Sequence, residues 1–78
     1  MHDAQLQHLI KMVNQIAANQ PSGDNGAEER VAMHLQKFWA RGMKQQIIDY
    51  ADQDGTALSP LARQAVARLK ALRQAKAG

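Results

Sequence analysis

A 78-residue chain without a single cysteine has no disulfide and no thiolate-bound metal to hold it, so packing alone must fold it. Packing material is scarce: 14 of the 35 apolar residues are alanine, leaving 21 larger ones. A chain of this size buries roughly 60% of its unfolded surface, on the order of 7,500–8,000 Å². With about 60% of that apolar, burial contributes about 115 kcal/mol at ~25 cal/mol/Å². Ordering the chain costs about 1.5 kcal/mol per residue, which comes to about the same total. The two sides balance. One small domain over residues 1–78 is expected, with no room for a large enzyme pocket and with help from a partner surface.

What can be packed is helix. Three valines, four isoleucines and one threonine are too few β-branched residues for strands, whereas Ala, Gln, Leu, Lys and Arg dominate. A first helix is expected from about Ala4 to Ala18, capped by Asp3, with Leu6, Leu9, Ile10, Val13, Ile16 and Ala17 on one face. Asn19 and the turn formers Gln20-Pro21-Ser22-Gly23-Asp24-Asn25-Gly26 close it. Asn25 with Glu28 makes a capping box for a second helix, and Glu28 and Glu29 suit its positive end. Its buried face is expected at Val31, His34 or Leu35, and Phe38, continued by Trp39. Gly42 then either breaks or bends the chain ahead of a third helix, from about Arg41 to Asp52, carrying Met43, Ile47, Ile48, Tyr50 and Ala51. Asp54-Gly55 is a stop signal, and Ser59-Pro60 a strong start for a fourth helix reaching about Gln74. Leu61, Ala65, Val66, Leu69 and Leu72 form its apolar seam. The expected fold is all-α, a bundle of three to four short helices.

Other classes are excluded in turn. No run of 18 apolar residues exists to span a membrane. The start MHDAQLQH lacks the basic and apolar regions of a signal peptide, so export by that route is not expected. A chain without cysteine needs no oxidising compartment: a bacterial or organellar interior is expected, with cytoplasmic as the assigned location. His2 and His8 are six apart and His34 stands alone, which is not the spacing of a helical metal pair. Glu28, Glu29, Asp49, Asp52 and Asp54 read as dipole partners and turn residues rather than as acid–base pairs. Phosphate-binding glycine loops and nucleophile motifs are absent, so no catalytic residue, metal site or cofactor is assigned.

Charge is uneven. Residues 1–62 hold 5 basic and 7 acidic side chains, whereas 63–78 hold Arg63, Arg68, Lys70, Arg73 and Lys76 and no acid. These cations do not form one stripe and no aromatic is interleaved with them, so base stacking is poorly supported. The more informative cluster is Phe38-Trp39 with Met43. Phe38 belongs to the buried stripe of its own helix, while Trp39, about 100° further round, is either core or part of an exposed anchor with Met43. With the flanking cations Lys37 and Arg41, this cluster is the expected partner-binding site.

Three blocks of the chain together resemble the delta subunit of soluble, molybdenum- or tungsten-containing NAD-dependent formate dehydrogenases. They are Leu9-Ile10-Lys11-Met12-Val13-Asn14-Gln15-Ile16-Ala17, then His34-Leu35-Gln36-Lys37-Phe38-Trp39 with Met43, then Leu58-Ser59-Pro60-Leu61 before a helix bearing Arg68-Leu69. Their order and spacing fit over about residues 6–70. One departure stands out: where that family often reads Phe-Trp-Asp-Pro-Arg-Met, this chain reads Phe38-Trp39-Ala40-Arg41-Gly42-Met43. The resemblance implies a non-catalytic accessory chain whose partner is the large catalytic subunit, the holder of the molybdopterin metal centre and iron–sulfur clusters. It implies a role in assembly, cofactor loading or stability of that subunit. A homo-oligomer in isolation is compatible with it. The alternative class is a small helical nucleic-acid-binding or regulatory protein, with Met43–Ala51 as a recognition helix offering Lys44, Gln45 and Gln46. Asp49 and Asp52 on that helix would repel phosphate.

Overall fold

The helix grammar of the sequence is realised in four segments. A computed structural model describes residues 4–20 and 26–77, and among them the chain forms α1 (Ala4–Ala18), α2 (Ala27–Phe38), α3 (Arg41–Gln53) and α4 (Pro60–Ala77), with no strand. Asp3 and Asn25, read as helix caps, lie outside the described residues. The residue ahead of α2 is Gly26, at φ 94°, a left-handed conformation natural to glycine, and no side chain caps that end. Ser59 does cap α4: its Oγ accepts from the Ala62 N–H at 3.2 Å, and its carbonyl accepts from the Arg63 N–H at 2.8 Å. The fourth helix continues past Gln74 to Ala77.

One cluster of buried side chains draws on all four helices and on the loop before α4: Leu9, Ile10, Val13 and Ala17; Val31, Ala32 and Leu35; Ile47 and Ile48; Leu58; Ala62, Ala65, Val66 and Leu69. Trp39 completes it. Leu6, Met12, Ile16, Met43, Tyr50, Ala51, Leu61 and Leu72 pack against its edge, half-buried. The most extensive contact is between α2 and α4. Alanine is part of the reason: Ala32, Ala62 and Ala65 have no exposed surface, and so small a side chain lets helix backbones approach closely. The seam of α4 therefore includes Ala62, which the large-residue pattern omitted. The Cα radius of gyration, 11.8 Å, is close to the ~11.5 Å expected of a compact chain of this length. No helix among the described residues is long and apolar enough to cross a membrane.

The loop from Asp54 to Ser59 closes on one backbone bond of its own, from the Leu58 N–H to the Gly55 carbonyl at 3.1 Å, and is fastened to the rest of the fold by side chains. Gly55 turns it at φ 72°, and a Cβ there would stand 3.1 Å from the Ala51 carbonyl oxygen, so glycine is required on two counts. The Tyr50 hydroxyl accepts from the Ala57 N–H at 2.9 Å, and the Arg63 guanidinium donates to the Gly55 carbonyl at 3.0 Å. Asn14, far away in sequence on α1, grips the same loop twice. Its Nδ2 donates to the Ala57 carbonyl at 2.9 Å, and its Oδ1 accepts from the Ser59 N–H at 2.9 Å. Replacing Asn14 by Ala removes both bonds and is expected to lower stability by about 1–3 kcal/mol. Ser59→Ala should lower it by about 1 kcal/mol. Urea denaturation of the two variants checks this; an unchanged midpoint for Asn14→Ala would mean that the clamp contributes nothing to the fold.

Candidate functional site

The corner between α2 and α3 is two residues long. Trp39 leaves the helix at φ −89° and ψ 141° while its N–H still donates to the Leu35 carbonyl at 3.0 Å. Ala40 is extended at φ −65° and ψ 157°, and α3 begins at Arg41 with no side-chain cap. Gly42 thus lies inside the first turn of α3, beyond the break, with nothing crowding its Cα. Leaving the helix at Trp39 turns the largest side chain of the protein inward, and burying an indole outweighs the few helical hydrogen bonds given up. Lys44 reaches back across the corner, its Nζ donating to the Gln36 carbonyl at 3.2 Å.

The sequence-derived site residues divide here into inward and outward sets. Trp39 is 6% exposed and belongs to the core, and Met43 is half-buried against that core. Lys37, Phe38 and Arg41 face solvent. The assignment of Phe38 to the buried stripe needs correction: it is 72% exposed. The reason lies in Ala32. At ~100° per residue, Trp39 stands about 80° from Val31 and close to Ala32, whereas Phe38 falls about 20° to the other side. Because Ala32 is fully buried, the core face is rotated toward Trp39 and away from Phe38. Leu35 rather than His34 fills the middle of that face; His34 is exposed, its ring against Phe38 with centroids 4.9 Å apart at 45°.

Several other charged side chains make contacts along the surface of the fold. Asp52 pairs with Lys70 at 2.8 Å, Glu29 with Arg68 at 3.6 Å, Asp49 accepts from Gln45 at 2.9 Å, and Asp54 accepts from Thr56 at 3.1 Å. Arg63, Arg68 and Lys70 of the basic end are therefore directed at the loop, α2 and α3 respectively. Such exposed pairs add little stability, yet they reduce the free positive field of α4. Among the described residues no three His, Asp or Glu side chains converge as metal ligands would. The proposed recognition segment Met43–Ala51 buries Ile47 and Ile48, ties Lys44 to Gln36 and Gln45 to Asp49, and so presents little to a DNA groove. Shallow clefts mark the described surface, and two of them lie beside residues considered above. One of about 240 Å³ lies between α3 and α4, beside Asp49, Asp52 and Arg73; the other, about 570 Å³, runs along the outer side of α2 beside Met33, His34, Lys37 and Phe38.

Comparison with known families decides what this scaffold is. Residues 8–66 match the family described as the NADH-dependent formate dehydrogenase delta subunit, FdsD. The chain belongs to this family. No curated protein and no solved structure matches it. The FdsD match spans the Asn14 clamp, the Trp39 corner and the Ser59 cap, and it ends at Val66, so that most of the basic end lies beyond it. Asn14 is where the first and third of the resembling blocks meet, through Ala57 and Ser59. The departure from the delta-subunit pattern also acquires a place. Ala40 and Arg41, standing where the resembling pattern often has Asp-Pro, are the N-cap and first residue of α3.

Aspartate caps a helix and proline suits its first turn, so the departure leaves α3 uncapped. Ala40→Asp is expected to stabilise the chain by about 1 kcal/mol. In the same series Trp39→Ala should cost about 3–5 kcal/mol, and Phe38→Ala should stay within ~0.5 kcal/mol of the parent chain. Denaturation midpoints measure all three; a Phe38→Ala loss as large as that of Trp39→Ala contradicts the orientation of the corner.

Proposed function

We propose that this FdsD-family chain is a non-catalytic accessory subunit of a cytoplasmic NAD-dependent formate dehydrogenase, bound to the large catalytic subunit and aiding its assembly, cofactor loading or stability. The family match over residues 8–66 is the observation that carries the reading. The side-chain chemistry is consistent with it. Four acids make local contacts at the surface, the clefts are shallow, and most of the large side chains are consumed by one small core with Met33 and Phe38 left exposed, so protein contact is what the chain offers. Any influence on metal or cofactor loading is exerted by shaping or shielding the large subunit.

A tagged chain expressed with the whole enzyme should co-purify with the catalytic subunit. Deleting it should lower the yield of active enzyme, or its molybdenum or tungsten content, several-fold. Enzyme of unchanged yield, metal content and thermal lifetime in the deletion strain contradicts an accessory role.

A further inference from the structure

Among the described residues, Met33 and Phe38 are the large apolar side chains left substantially exposed, at 40% and 72%. Both lie on the outer side of α2, along the same cleft, and His34 stacks on the Phe38 ring. The rotation of α2 that buries Trp39 leaves Phe38 outside, and with Met33 beside it on one cleft it forms a contiguous apolar patch of the kind a partner surface covers. The aromatic pair gives the patch a defined shape before anything binds, which reduces the ordering cost of association.

The charges around the patch indicate what covers it. Lys37 lines the cleft and Arg41 is exposed just across the corner, while Arg30, also on the cleft, donates to the Gln20 Oε1 at 3.2 Å. Glu29, the acid on this cleft, is paired with Arg68. The rim is therefore net positive. Two copies of the chain placed face to face here would bring two positively charged rims together, each with Lys37 and Arg41. A larger protein with an apolar recess and an acidic rim meets that charge instead.

We propose that the outer face of α2, with Phe38 as anchor and Met33 and His34 beside it, docks into an acid-rimmed apolar recess on the formate dehydrogenase large subunit. Lys37, with Arg41 across the corner, meets the rim and orients the encounter. This rests on the function proposed above. It moves the contact off the corner itself: Trp39 acts from inside, as a support, and the basic end of α4 is not the primary surface.

The test uses the whole 78-residue chain and the purified enzyme lacking it, with binding measured by titration and the fold by thermal melting. Phe38→Glu is expected to melt as the parent chain does and to bind at least about 30-fold more weakly. Lys37→Glu should bind more weakly and lose salt dependence, as expected for a rim charge. Should Phe38→Glu fail to fold, Phe38→Ser with Met33→Ser carries the same expectation. A folded Phe38 variant that binds like the parent overturns this surface while leaving the accessory role intact. A parent chain that does not bind the enzyme at all overturns both. An isolated chain that sediments as a dimer, and as a monomer with Phe38→Glu, assigns the face to a second copy and overturns the acidic partner.

Discussion

The close packing of α2 on α4 is the constraint from which the rest of the molecule follows. With 21 large apolar residues in the whole chain, a core built from bulk alone would be thin. Completely buried alanines at 32, 62 and 65 let the two helices share one interior with few large side chains. That approach sets the rotation of α2 about its own axis. The rotation in turn decides which of two adjacent aromatics enters the core and which is left outside.

Helix boundaries were legible in the sequence because their signals are local. Ser59-Pro60 and Asp54-Gly55 act through bonds within a few residues, and the structure keeps both. The inward face of α2 was legible only in part. A stripe drawn through Val31, Leu35 and Phe38 gives no weight to alanine, and Ala32 is what turns the face toward Trp39. Asn14 was not legible as a structural residue at all. Its partners at 57 and 59 lie on the far side of two helices, and a polar residue on an amphipathic helix gives no pattern from which such a bond could be read. Gly42 was the reverse case, a conspicuous signal with no structural consequence, since the break falls at Trp39 and Ala40.

The residues that carry the delta-subunit resemblance thus do two different things. Asn14, Leu35, Trp39, Leu58 and Ser59 build the scaffold: a loop clamp, a core and a cap. His34, Lys37 and Phe38 lie in the same blocks but outside the core, where they add nothing to packing and offer a shaped, positively rimmed apolar surface. A small chain that binds another protein through its surface needs this division. A fold with little thermodynamic margin cannot also place its anchor residues in the core, because any gain in docking would then be taken from stability.

The central claim is that Trp39 faces inward while its neighbour Phe38 faces outward, and the chain holds a single tryptophan with which to test it. Tryptophan emission and acrylamide quenching of the isolated, dilute chain report that residue alone. The account predicts blue-shifted emission and strong protection from quencher in the folded chain, both lost in denaturant, and both retained when Phe38 is replaced by Ser. Emission and quenching in the folded chain that match those of the denatured chain would place the indole in water and contradict the account.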